Sequence, residues 1–184
     1  MGSVYSELND KLRELIAEQH LFFVATAPLS AEQHLNLSPK GLDAFRVLDD
    51  KTVAYLDLVG SGIETVAHLR ENGRIVIMFC TFAGTAKILR LYGRGRVVQP
   101  QDAEWQSLAP QFPSYPGARS IVVVELERIA DSCGWGVPQF EYVGERTQLV
   151  DYADSKGPEK LAEYKAKKNA LSIDGLPGLR GVHA

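Results

Sequence analysis

Cysteine is scarce in this sequence of 184 residues, which holds two, Cys80 and Cys133. Cys80 sits in a strongly apolar run and Cys133 beside a Gly-Trp-Gly turn, a placement that fits neither a zinc site nor a disulfide framework. Both are therefore read as reduced thiols of a cytoplasmic protein. The four histidines, His20, His34, His68 and His183, lack metal-ligand spacing, and no metal is assigned. An excess of charge of one sign is missing too. Twenty Lys and Arg against 23 Asp and Glu leave a net charge of −3, which offers no sequence-wide attraction to nucleic acid or to an anionic membrane. Any site for a phosphate must be local. No stretch approaches the roughly 20 apolar residues of a membrane span, and the N-terminal segment has no apolar leader core, so a cytoplasmic chain without membrane or nucleic-acid partners is expected. Repeats, low-complexity runs and domain boundaries are absent as well. One domain over residues 1–184 is expected, with an N-terminal helix and a C-terminal helical extension; a domain of that size buries roughly 70% of its unfolded surface.

What the sequence does contain is β-patterned. Residues 6–18 place Leu8, Leu12, Leu15 and Ile16 at helical spacing behind a possible cap, Ser6. The period then changes. Residues 21–26 and 34–38 read as two arms of a hairpin, and Ser38-Pro39-Lys40-Gly41 reads as the corner that follows. Phe45-Arg46-Val47-Leu48 and an Asp49-Asp50-Lys51 turn precede a strand over 52–58. Gly60-Ser61-Gly62 breaks it, a helix follows over 63–71, and Gly73 stops that helix. Residues 74–80 form a continuous apolar strand. Residues 87–98 alternate, with Gly93 and Gly95 marking a bulge or tight bend. A short helix over 101–108, a strand over 120–126 and a charged helix over 151–171 complete the chain. About six strands arriving in hairpins predict a mainly β protein with helical additions, an antiparallel barrel or sandwich rather than a doubly wound sheet.

Three pieces of this pattern can converge on an anion: Ser38 and Lys40 at one strand end; Ser61, Gly62 and Thr65 at a helix start; and Lys87 and Arg90 on a later strand. Helix starts offer unpaired N–H groups and partial positive charge, so hydroxyls and a lysine there make a workable phosphate cradle. Plainer readings stay open, with Ser61 a simple cap and Lys40 a solvated loop lysine. Arg90, flanked by hydrophobes in mid-strand, needs a partner, either an acid such as Asp57 or a ligand. Trp135 between two glycines is either a stacking face for a flat ligand or an aromatic capping the core. A Gly-x-Ser-x-Gly elbow is absent and Cys133 has no histidine close in sequence, so it is read as a packed cysteine and catalytic residues stay unassigned.

The order of these motifs resembles the pyridoxamine 5′-phosphate oxidase-like family of FMN-binding split β-barrels, and within it a bacterial subgroup of oxidase-related proteins rather than the true oxidase. The resemblance covers residues 21–126. It is carried by Ser38-Pro39-Lys40-Gly41, by the helix and strand from Leu69-Arg70-Glu71-Asn72-Gly73 to Phe79, and by Arg90-Leu91-Tyr92-Gly93. Cys133-Gly134-Trp135-Gly136-Val137-Pro138 and Ser172-Ile173-Asp174-Gly175-Leu176-Pro177 are similar to the subgroup's C-terminal wording. The resemblance implies a six-stranded antiparallel split β-barrel that binds FMN at a homodimer interface. It implies that Asn36, Leu37 and Ser38 run beside the flavin ring and that Lys40 reaches the ring or phosphate side. Ser61, Gly62 and Thr65 would approach the phosphate, and Lys87 and Arg90 would come from a neighbouring strand, of this copy or of a second one. Two departures stand out: Ile63-Glu64-Thr65 replaces the oxidase's Ser-Arg-Lys, and the end of the chain, including His183, does not reproduce its substrate-binding Arg and His. The expectation is an FMN-dependent oxidoreductase of unknown substrate. Its alternatives are a non-catalytic flavin or small-ligand binding protein, or a relative that binds deazaflavin or heme.

Overall fold

The computed structural model of the protein describes residues 2–182, so His183 lies outside the described residues. All strands pair antiparallel. Eight strands form one sheet: β1 (Val4–Tyr5), β2 (Phe22–Thr26), β3 (Asn36–Lys40), β4 (Phe45–Val47), β5 (Thr52–Leu58), β6 (Arg74–Cys80), β7 (Lys87–Val98) and β8 (Ala118–Cys133). The order is β3-β2-β6-β7-β8-β5-β4, with β1 added on β8. The sheet curls into a half-barrel that brings β3 opposite β5. Among the described residues four α-helices, α1 (Asp10–Ala17), α2 (Glu64–Asn72), α3 (Trp105–Leu108) and α4 (Gln148–Asn169), and a single 3-10 turn at Ala109–Gln111 accompany the sheet. None of the described helices is long and apolar enough to cross a membrane.

The six expected strands become eight because Val4–Tyr5 and Phe45–Val47 are too short to show a period. The last strand is also longer than its apolar run. Beyond Leu126 it continues as Glu127-Arg128-Ile129-Ala130-Asp131-Ser132, held as strand by pairing with β7 on one side and β1 on the other. Asn9, not Ser6, caps α1, accepting from the Leu12 N–H. Gly73 ends α2 in the left-handed region at φ 69°, as the sequence predicts. Within α4, Gly157 and Pro158 break the helix into two segments.

Alternation fixes the cores. Val53, Tyr55, Val122 and Val124 turn inward with Phe22, Ile77, Phe79, Leu89 and Leu91, and α1 closes this interior with Leu12 and Ile16, joined by Leu8 just before it. Their neighbours Ala54, Leu56, Ile121 and Val123 face the other way into a second core beneath Leu108 and Phe112. β5 and the first half of β8 are therefore buried on both faces, which is why they read as unbroken apolar runs.

Candidate functional site

The strand expected over 34–38 lies at Asn36–Lys40, so Pro39 and Lys40 belong to it rather than to the corner, which comes later, where Leu42 takes φ 62°. Pro39 is accommodated because β3 is an edge strand with no neighbour to receive the missing N–H. Period-two alternation turns Leu37 outward, 67% exposed, and Asn36, Ser38 and Lys40 inward across the gap between the sheet edges. Each inward residue finds a partner. The Asn36 amide donates to the Thr65 hydroxyl at 2.9 Å, and the Ser38 hydroxyl donates to Asn36 Oδ1 at 3.3 Å. The Lys40 ammonium donates to Asp57 Oδ1 at 3.0 Å.

Asp57, 2% exposed, is the centre of this seam. It accepts from Arg119 Nε at 2.7 Å and from the Ser120 hydroxyl at 3.2 Å, besides Lys40. Burial pushes its carboxyl up, but the Arg119 guanidinium and the Lys40 ammonium outweigh that and hold it well below the usual carboxylate range. Arg119 is the site residue that sequence reasoning missed. A carboxylate in an apolar strand announces the need for a cation, but only the register Asp57↔Ser120 tells which one supplies it. Arg90, whose partner the sequence left open between an acid such as Asp57 and a ligand, donates to the Ser132 hydroxyl at 3.0 Å.

The start of α2 differs from the expected cradle. Ser61 is exposed and does not cap the helix; Ile63 occupies the N-cap and makes no side-chain bond. Gly62 lies against the Glu64 carboxylate, and Thr65 is engaged by Asn36. Behind Thr65, the buried His68 shares a hydrogen bond of 2.9 Å between Nδ1 and the Thr26 hydroxyl, and burial lowers its pKa. An anionic group does not fit there. The Thr65 hydroxyl already accepts from Asn36, and the nearest charge, the Glu64 carboxylate, repels an anion.

The Lys40 end is open. A cleft of about 660 Å³ lies beside it, walled by Leu21, Leu42, Leu56, Leu58 and Leu149. His20 and Tyr142 stack across its rim at 3.6 Å with 7° between their planes. The Tyr142 hydroxyl donates to Glu145 Oε1 at 2.9 Å, and Glu145 Oε2 accepts from the Leu42 N–H at 3.3 Å, which fastens residues 142–145 over the mouth. A flat, mostly apolar ring with one electron-rich edge fits this lining.

Of the ten residues singled out in the sequence, Asn36, Ser38, Lys40 and Thr65 meet in the seam, with Ser61 and Gly62 in the adjoining bend. Leu37 faces outward. Lys87, Arg90 and Trp135 stand elsewhere in the chain: Lys87 donates to Asp131 at 2.8 Å, Arg90 lies on the outer face of β7, and Trp135 is 86% exposed. Cys133, expected to be packed, is exposed, because it ends β8 at the barrel rim.

The stretch that forms α1 and the whole sheet after β1 is also the stretch that a family model recognises: residues 8–133 match pyridoxamine 5′-phosphate oxidase. The chain belongs to the pyridoxamine 5′-phosphate oxidase family. It is 38% identical to the pyridoxamine 5′-phosphate oxidase family protein ustO of Aspergillus flavus, over 99% of this chain and 80% of that one. That relative is fungal, whereas the sequence resemblance pointed to a bacterial subgroup. Among solved structures, HupZ from Group A Streptococcus superposes with a TM-score of 0.52 at 25% identity, covering 66% of this chain and 91% of that one. A pyridoxamine 5′-phosphate oxidase-like protein of Lactobacillus delbrueckii gives 0.53 at 17% identity, over 68% of this chain and 94% of its own. These likenesses place the half-barrel among the split barrels of the family. The alignment with the Aspergillus protein runs through α4 to the C-terminal residues, so the two share the extension beyond the sheet.

Proposed function

We propose that the protein is a flavin-binding oxidoreductase that works as a homodimer, with the flavin ring in the cleft beside Lys40. The observation that carries this reading is the position of Lys40. Its ammonium stands where the edge strand β3, a buried carboxylate and an apolar cleft meet. Membership of the family supports the same choice, since the resemblance assigns Lys40 to the flavin. A bound flavin supplies electron or hydride transfer. The chain's residues bind and orient it: Lys40 donates to the electron-rich edge of the ring, Asp57 and Arg119 fix the ammonium in place, and the leucines of the cleft exclude water.

The outer face of the sheet supports the dimer. Register aligns Leu37, Ala25, Val76 and Tyr92 in one row and Pro39, Phe23, Met78 and Arg90 in the next, an apolar surface with Leu37 and Tyr92 exposed. A second copy is the partner this reading assigns to it. Lys87, Arg90 and Trp135, distant from Lys40 within one chain, then belong to the contribution of that copy.

The test is the visible absorption spectrum of the purified protein after incubation with flavin and gel filtration. Retained flavin bands are expected, and Lys40→Ala should weaken binding by about tenfold or more, the scale of one charge-assisted hydrogen bond. The fold should survive that change, because Asp57 keeps Arg119. Absence of retained flavin would overturn the reading.

A further inference from the structure

The seam has a second end, and there the chain fills the space with its own C-terminal segment. Asn169, fully buried at the end of α4, donates its amide to the Gly60 carbonyl at 2.9 Å, which also accepts from Arg119 at 3.3 Å. The chain then folds back on itself. Gly178 N–H donates to the Ala170 carbonyl at 2.8 Å and Leu179 N–H to the Asn169 carbonyl at 2.9 Å. Gly178 is required at this crossing, since a Cβ would run into the Asn169 carbonyl oxygen and Ile63. Leu179 packs on Ile63 and Val66, and Arg70 of α2 donates to the Gly178 carbonyl.

Between these anchors, the turn at residues 172–176 lies over the start of α2. Ile173 N–H donates to Glu64 Oε1 at 3.3 Å, and Asp174 accepts from His34 N–H at 2.9 Å and from His34 Nδ1 at 2.7 Å. The charges around the helix start are thus Glu64 and Asp174. The nearby cations are engaged: Arg70 with a carbonyl, and Arg119 with Asp57 and Gly60. A phosphate carrying close to two negative charges at neutral pH meets repulsion here from Glu64 and Asp174, while Arg70 and Arg119 are already taken up by the chain's own acceptors.

We propose that residues 169–179 take the place of a ligand phosphate, so that the site recognises the flavin ring alone and accepts a flavin with a neutral ribityl tail as well as FMN. This rests on the flavin reading of the Lys40 cleft. It is tested by titrating the full-length protein separately with riboflavin and with FMN and following the quenching of flavin fluorescence. FMN is expected to bind less than about tenfold more tightly than riboflavin, because an engaged phosphate with charge-assisted hydrogen bonds contributes that factor or more. Ser61→Ala should leave both affinities unchanged. FMN tighter by about tenfold or more, or an FMN affinity that falls in Ser61→Ala, overturns the proposal and leaves the flavin reading standing. Binding of neither flavin overturns both.

Discussion

A carboxylate inside a strand of valines and leucines is stable only with cations against it, and Asp57 has two. Asp57→Asn removes the charge and leaves Arg119, itself 6% exposed, without a counterion. The expected cost is roughly 3–5 kcal/mol, the scale of breaking a buried pair, measured by chemical denaturation at neutral pH. The pH dependence has a defined sign. Arg119 and Lys40 depress the folded-state pKa against the opposing effect of burial, so as pH falls the unfolded chain takes up its proton first. The contribution of Asp57 is therefore complete above about pH 3.9, the ordinary Asp value, and is lost progressively below it. The variant should lose less stability than the parent across that acid range; equal slopes would remove Asp57 from the account. At this scale the sequence shows the need but not the answer. Arg90 and Arg119 both lie in strands beside apolar residues, and only the pairing of β5 with β8 selects Arg119.

Among the elements, those with a full period were legible: β6, β7, α2 and its Gly73 stop all lie where alternation and helix chemistry put them. Gly93 was legible too, and its reason is now physical. The register of β7 against β8 shifts between Tyr92 and Gly93, and a Cβ at Gly93 would meet the Glu125 carbonyl. Since the obstacle is backbone held in a ladder, neither side yields easily. Gly93→Ala should cost about 1–3 kcal/mol, as overpacking does, read as a lowered denaturation midpoint; an unchanged midpoint would mean that the two strands separate freely here. The elements that escaped prediction depend on distant partners. β1 has two residues and exists because β8 passes beside it, with Asp131 accepting from Ser3 N–H and the Tyr5 hydroxyl. The polar second half of β8 is strand for the same reason.

At the scale of the whole molecule, the apolar rows on β3, β2, β6 and β7 make self-association the expected state. Sedimentation should give twice the chain mass, and Leu37→Asp with Tyr92→Asp should give the monomer with its fold intact by circular dichroism. A parent that sediments as a monomer would leave that face without the partner proposed for it. The site was only half legible. Lys40 and Asn36 stand out by type and position, whereas the filling of the α2 end by residues 169–179 joins parts of the chain that no local pattern connects. β8 carries a further consequence. It is the last strand of the sheet to be synthesised, yet β1, β5 and β7 all depend on it for a partner. On the ribosome, β5 and β7 wait with open edges until Ala118–Cys133 emerges, and the segment that follows α4 locks only after that. Assembly of this barrel is thereby deferred until its whole sequence has left the ribosome, and the nascent chain spends that interval exposed to pairing with the wrong strand.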